Sequence, residues 1–517
     1  MSITPPAQRS LAWPHARLAI LWALFVAYGS LVPLEYKARP DAWQYFVNTP
    51  WLDLGVGSRA DWVANILLYL VLAYFVTGAV WASQLTRTLR TLLLALMLGA
   101  CLALAVGIEY LQLFFPPRTV SLNDLLAEGL GTALGTLTWF MAGRRIAAMW
   151  ERFIHGGASS LRALLALYAI GYLGLSFFPY DFLVSGAELG AKFAKPDSFS
   201  IGPGLACGSS LTCGVKLLVE ALLVLPFGIL LALGWRMPHR PDAAPTPSPI
   251  RTVIWGLVAG TVLGATIEGV QIVLASGNTQ IISIFTRSLG VAWGVVLAHA
   301  ASPRWLLWRP QRLRLALLAL LPLYLALALA LNGLLPLQLQ PTWAALEKLD
   351  GLRFLPFYYH YYTSETVALR SLLFVAGTYA PLGMASALAW RTQPGTTRTF
   401  TVLAALLLCL GIEVLKLFSV GQRPDPTNLL IAAASAGLLH WLVERMLRYA
   451  AAHSVNAANM HNAELATERA TTRDSAAPSS RWRACCGAPA ALPSIWARAV
   501  CRRFGWARRS WRPPAFF

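Results

Sequence analysis

Within the stretch "GIEYLQLFFPPRTVSLND" (residues 107–124) stand Glu109, Gln112, Arg118 and Asp124, flanked on both sides by long apolar runs. The chain as a whole is only 13% charged, so a cluster of this density is not ordinary surface polarity. A carboxyl, an amide, a guanidinium and a second carboxyl can hold a charged headgroup or transfer a proton. An acid inside a membrane-spanning helix is costly unless paired or neutral, which makes function the first hypothesis for Glu109.

The elements that must carry these groups follow from composition. The chain has 517 residues, is 57% hydrophobic and has a mean hydropathy of +0.56. A soluble chain would carry about twice the charge. Apolar stretches of roughly twenty residues recur, as at 18–34, 62–82, 91–115 and 122–141, and each is long enough to cross a bilayer as a helix. Counted along the chain they predict about 12 helices, an all-α polytopic transmembrane bundle in which the backbone satisfies its own hydrogen bonds. Lys and Arg gather in alternate connections, among them 83–90, 142–163, 236–251, 302–314 and 391–398, and after 444. The positive-inside rule then puts both termini in the cytoplasm and the Glu109 cluster at the outer face of the inner membrane. The first apolar run is read as a retained helix rather than a signal peptide, because endings related to its "GSLVPLEY" return later.

On that frame Glu109 lies about 10 Å beneath the outer surface, with Gln112 on the same face. Arg118 occupies the outer turn, Ser121 is placed as the N-cap of the next helix, and Asp124 at its third position. Asp61 and Asn65, four apart, are expected to open the second helix from the same side. These groups converge where two helix N-termini add positive dipole ends. Plainer readings stand beside each: caps for Ser121, Asp124 and Asp61, a headgroup contact for Arg118, an interhelical hydrogen bond for Gln112.

A repeat search adds weight to the glutamate. Ile-Glu recurs in "GIEYLQ" at 107, "TIEGVQ" at 266 and "GIEVLK" at 411, and "SLVP" at 30, "SFFP" at 176 and "GLLP" at 333 each end a helix. "LPFG" at 225 and "APLG" at 380 mark a further shared point. The expected organisation is three four-helix units, 1–150, 151–310 and 311–450, followed by a basic tail, 451–517. The second unit keeps Glu268 and Gln271, has Glu220 at the Asn65 position and Ser283 at the Asp124 position, and carries Arg287 where the first has Glu128, which invites a Glu268–Arg287 salt bridge. The third keeps Glu413, replaces the glutamine with Lys416, and has Arg423, Asp425 and Asn428 in its turn. Only the first unit carries the whole set, so the active cluster is expected there.

The cysteines show no metal-ligand spacing, and neither a metal nor a cofactor is expected. Cys101 and Cys409 sit in apolar helices as packing residues. Cys207 and Cys213, in "ACGSSLTCG", are a candidate disulfide on the oxidising side. The tail is rich in Arg with scattered Trp; a disordered extension is the plain reading, and contact with anionic lipid headgroups the sharper one. No nucleic-acid partner is expected.

An acid and a glutamine three apart, then an arginine, a small polar residue, an aspartate and a spaced glycine pair resembles the VanZ-like family of small membrane proteins. Here the set is Glu109, Gln112, Arg118, Ser121, Asp124, Gly131 and Gly135, and Asp61-x-x-x-Asn65 is similar to the family's upstream pattern. Glu128 departs from it, since the family carries Asn there. The resemblance implies a four-helix fold and a cell-envelope context tied by name to glycopeptide resistance. Three functions are weighed. The leading one is binding or handling a lipid or lipid-linked glycan precursor through Asp61, Asn65, Gln112, Arg118 and Ser121. The second is an enzyme on such a substrate, with Glu109 as general base beside Asp124. The third is a proton-coupled transporter using Glu109, Glu268 and Glu413.

Overall fold

Leucine, alanine and valine runs with few breakers propagate as helix, and lipid leaves them little alternative. The computed structural model describes residues 12–51, 55–155, 158–195, 198–200, 210–235, 248–300, 310–390 and 394–448. Twelve helices of 20 or more residues stand among the described residues. They fall in chain order into three quartets. The first is α1 (Ala12–Leu31), α3 (Val56–Trp81), α4 (Arg87–Gln112) and α5 (Leu122–His155), with the short α2 (Ala42–Val47) in its long loop. The second is α6 (Ala158–Phe177), α8 (Ser210–Trp235), α9 (Pro249–Ile272) and α10 (Ile281–Ala300), with α7 (Gly186–Phe193) in the corresponding loop. The third is α11 (Pro310–Leu331), α14 (Glu365–Ala389), α15 (Pro394–Leu417) and α16 (Thr427–Arg448), with α12 (Thr342–Asp350) and α13 (Tyr358–Tyr361) between the first two. A two-residue parallel pair, β1 (Phe199–Ser200) with β2 (Thr279–Gln280), stands beside two isolated antiparallel bridges, Phe182 with Leu274 and Leu339 with Ser419.

Nine of these helices are long and apolar enough to cross a membrane. The helix α5 is less apolar, with Glu128 and several Gly and Thr residues along its length. Apolar side chains point outward from the bundle, as the stripe Phe285, Leu289 and Trp293 on α10 illustrates. The opposite face of the same helix is buried and carries Ser283, Arg287, Ser288 and Val291. An apolar exterior around a partly polar interior is the arrangement a bilayer demands.

Within the first two quartets the second and fourth helices pack most closely, α3 on α5 and α8 on α10. Small residues set that approach. Gly131 lies against the Ile66 carbonyl and Gly135 against that of Leu70; Gly290 and Gly294 lie against the carbonyls of Ala221 and Leu225. In the third quartet Gly383 makes the contact, against the carbonyl of Ala436.

One backbone hydrogen bond recurs in all three quartets at 2.8 Å: Lys37 N–H to Phe114 O, Leu183 N–H to Val273 O, and Gln340 N–H to Phe418 O. Each donor stands four residues after Pro33, Pro179 or Pro336, and each acceptor five residues after Glu109, Glu268 or Glu413. The long loop is thereby tied to the end of the third helix beside its glutamate.

The first and second quartets are joined by a bidentate ion pair. Arg59 donates through Nη1 and Nη2 to Glu188 at 2.9 and 2.8 Å. The Arg59 hydrogen bonds, and after them the Val184 N–H, hold the Glu188 carboxyl at about 2, below its ordinary 4.5. A carboxyl lowered on folding stabilises the fold above its unfolded value, and that contribution is lost as pH falls toward the folded one. The melting temperature of the wild type should therefore exceed that of Glu188→Gln by a constant margin above about pH 5, and the margin should close between pH 4.5 and 2. A margin independent of pH would show that the pair does not join the two quartets in this way.

Candidate functional site

Near the end of α4, α9 and α15 a single glutamate is buried: Glu109, Glu268 and Glu413 are 2%, 3% and 6% exposed. Each faces the tight turn into the fourth helix and meets the backbone N–H twelve residues further on. Gln280 donates to Glu268 Oε2 at 2.6 Å and Asp425 to Glu413 Oε2 at 2.8 Å. Ser121 plays the same part for Glu109. A helix start turned on a carboxyl combines unsatisfied N–H groups with the positive end of the dipole, so the recurring position has a common electrostatic cause.

The three then diverge in what neutralises the acid. Glu268 Oε1 receives Arg287 Nη1 at 2.5 Å, the salt bridge expected from the sequence. Glu413 Oε1 receives Lys416 Nζ at 2.8 Å and Asn428 Nδ2 at 2.8 Å. Glu109 has no ion-pair partner among the described residues, and its Oε2 is buried without a hydrogen bond. The register of Arg287 is held in the first quartet by Glu128, also 2% exposed, whose Oε2 is likewise buried and unpartnered. The Tyr69 hydroxyl lies beside Glu128 without reaching hydrogen-bond geometry. Two buried carboxyls thus hold the registers where the second quartet has an acid and a base.

The other expected residues divide into those that organise this end and those that line it. Ser121 caps α5, accepting from the Asp124 N–H at 3.2 Å while its hydroxyl donates to Asp124 Oδ2 at 2.6 Å. Asp124 Oδ1 accepts from Asn65 Nδ2 at 3.0 Å, tying α3 to α5. Gln112 Nε2 donates to the Ser30 carbonyl at 3.1 Å. Asp61 is not at the opening of its helix, as its spacing suggested: α3 starts at Val56 with Gly55 as N-cap, because Gly57 and Ser58 continue the helix. Asp61 is exposed and lies near Asp124, Arg118 and Glu365.

Arg118 stands in the turn between α4 and α5. It lies within electrostatic range of Asp61 and Glu109 but makes no ion pair with either. Its Nε donates to the Val32 carbonyl at 2.8 Å and its Nη2 to that of Gly29 at 2.6 Å. The last turn of α1 leaves these carbonyls open, and the negative dipole end draws the guanidinium. In the third quartet the same register, nine residues after the glutamate, is held by Gln422, which donates to the Gly333 carbonyl at 3.2 Å. Arg423 stands one residue further on, over the Tyr359 ring at 4.2 Å.

Sequence reasoning missed the segment 356–362. Its Tyr361 ring carries the Arg118 guanidinium at 4.2 Å, its Pro356 carbonyl accepts from the Tyr28 hydroxyl at 2.6 Å, and its Tyr358 hydroxyl donates to Glu35 at 3.1 Å. The signal was present as "FYYHYY", a density of aromatics that a loop between helices does not need unless it covers something. Lys192 and Lys348 were missed too. Lys192 donates to the Gln271 and Leu274 carbonyls, and Lys348 to those of Ser419 and Gln422, closing the ends of α9 and α15. Gln271 contributes through that carbonyl. Cys213 is disulfide-bonded, while Cys207 and the basic tail lie outside the described residues. Among the described residues no group of three His, Cys, Asp or Glu could hold a metal ion.

Long apolar helices closed around buried acids at one end define a multi-pass membrane protein of all-α class. Its first quartet is VanZ-like: residues 13–143 match the model of the VanZ/LLP1 family. That segment contains Glu109, Gln112, Arg118, Ser121, Asp124 and Glu128. No curated protein and no solved structure matched the chain.

Proposed function

We propose that the chain comprises three diverged VanZ-like units, and that the first binds the amine-bearing headgroup of a lipid or lipid-linked glycan at the outer face of the inner membrane. The observation that carries this reading is the pair Glu109 and Glu128, both buried and within electrostatic range of each other, neither with an ion-pair partner among the described residues. A buried carboxylate without a partner is expensive, so the pair either keeps its protons or receives a positive charge from outside. Arg287 beside Glu268 shows how a cation fills that space in the second unit; a ligand ammonium would fill it in the first. The recurring Glu-to-turn hydrogen bonds and the recurring loop-to-helix bond at fixed offsets support the triplication. Arg118, held on the end of α1 under Tyr361, closes the side through which a headgroup would arrive.

The test uses the full chain in detergent with dihexanoyl phosphatidylethanolamine and its N-acetylated form as probes. The wild type should bind the free amine at least about tenfold more tightly, and Glu109→Gln or Glu128→Gln should erase that preference. Glu109→Gln protein that keeps the full preference would sink the reading. Appearance of a new lipid product would favour the enzymatic alternative, and pH-gradient-dependent flux lost in Glu109, Glu268 and Glu413 variants the transporter.

A further inference from the structure

The third quartet contains an open cavity of about 490 Å³ at the same end of the bundle, lined in part by Tyr359, Phe374, Val375, Lys416, Arg423 and Asn428. Its polar lining differs from that of the first quartet. Lys416 stands at the register of Gln112 and Asn428 at that of Asp124, counted from Glu413 and Glu109. The acid of this quartet does not face a ligand as a bare charge. Both Glu413 oxygens are occupied, Oε1 by Lys416 and Asn428 and Oε2 by the Asp425 N–H.

What remains turned to the cavity is cationic and polar. Lys416 has three donors and spends one on Glu413. The exposed Arg423 lies over the Tyr359 ring and makes no ion pair among the described residues. Asp425, the one acid among the lining residues, accepts from the Thr427 N–H at 2.9 Å and faces His360 Nδ1 at 3.5 Å. Asn428 has its amide nitrogen committed to Glu413, and its Oδ1 is buried with no partner, an acceptor waiting for a hydroxyl. Two cations and one acceptor suit a phosphate ester that retains a proton or carries a neighbouring hydroxyl. Part of the remaining wall is apolar, although Asn332, Ser371 and Gln422 also line it: Phe374 is 39% exposed on the spanning helix α14, with Val375 behind it.

We infer that this cavity is a second binding site, independent of the first, which takes a phosphate-bearing ligand with Lys416 and Arg423 on the phosphate and Asn428 on a hydroxyl. The apolar wall accommodates an acyl chain where the ligand is a lipid.

The full chain in detergent is titrated with dihexanoyl phosphatidic acid, with dihexanoylglycerol as the phosphate-free control and inorganic phosphate as competitor. Phosphatidic acid should bind, dihexanoylglycerol should not compete, and Arg423→Gln should weaken binding by about tenfold. Because Lys416→Gln alone would strip Glu413 of its partner, Lys416 is tested in the double variant Glu413→Gln/Lys416→Gln, which should weaken binding as well. Glu109→Gln should leave this affinity unchanged, which separates the site from the first. Competition by inorganic phosphate would support a soluble phosphate as the source, and its failure to compete would support a lipid head. Equal affinity in the wild type, Arg423→Gln and the double variant would overturn the site, as would binding of dihexanoylglycerol at the same strength.

Discussion

Replacing Arg287 with methionine should destabilise the protein by roughly 3–5 kcal/mol, the size expected when one partner of a buried ion pair is removed. The two side chains are 7% and 4% exposed and meet at 2.5 Å, so little water reaches the carboxylate left behind. Glu268 would keep only the Gln280 N–H as a partner. Arg287 Nε also contacts the Tyr172 hydroxyl at 3.3 Å, so α6 loses an anchor as well. Adding Glu268→Gln to Arg287→Met should restore most of the loss, because a buried pair exchanged for uncharged groups of similar size is often nearly neutral. Glu109→Gln should behave oppositely. With no cation partner to strand, it should change stability by less than about 1 kcal/mol while abolishing the proposed amine preference. Denaturant unfolding in detergent measures all three. An Arg287→Met protein as stable as the wild type, or a double variant no better than the single, would refute the argument.

That contrast marks where the sequence was legible. Ile-Glu at three places and Arg287 at the Glu128 register are local patterns, and the Glu268–Arg287 bridge follows from them because both residues lie on helices whose phases are set by apolar periodicity. Ser121 and Asp124 were readable for the same reason, since a cap is a property of four consecutive residues. Arg118 was not. Its type and position suggested a headgroup, yet its protein partners are two main-chain carbonyls at the end of α1, and carbonyls leave no mark in side-chain spacing. Tyr361 over Arg118 joins residues more than two hundred positions apart, and no periodicity carries that information. Asp61 was misplaced because a Gly-Ser sequence, usually a stop, here continues into α3. Tyr69 looks like any aromatic in an apolar run until α5 brings Glu128 beside it.

The glycine spacing of the family resemblance has a steric meaning that a paired substitution can test. A Cβ added at Gly135 would lie 2.1 Å from the Leu70 carbonyl oxygen, and one at Gly294 would lie 2.1 Å from that of Leu225. The obstacle is main chain, which cannot rotate away as a flexible side chain can, so α5 would have to move off α3 and α10 off α8. Overpacking of this kind costs about 1–3 kcal/mol. Gly135→Ala and Gly294→Ala should each show that loss in detergent unfolding. Gly107→Ala should not, because nothing lies within 4 Å of its added Cβ and alanine is the better helix former. The consequence for the site differs between the two sensitive positions. Moving α5 from α3 separates Asp124 from Asn65, now at 3.0 Å, and shifts Glu128 relative to Glu109. Gly135→Ala should therefore weaken amine binding at temperatures where the protein is still folded. Gly294→Ala, which disturbs α8 and α10, should lower stability alike but leave amine binding in the first quartet intact. Equal loss of binding in both variants would mean that the three quartets do not act as separate packing units, and that the site depends on the whole bundle rather than on the α3–α5 contact.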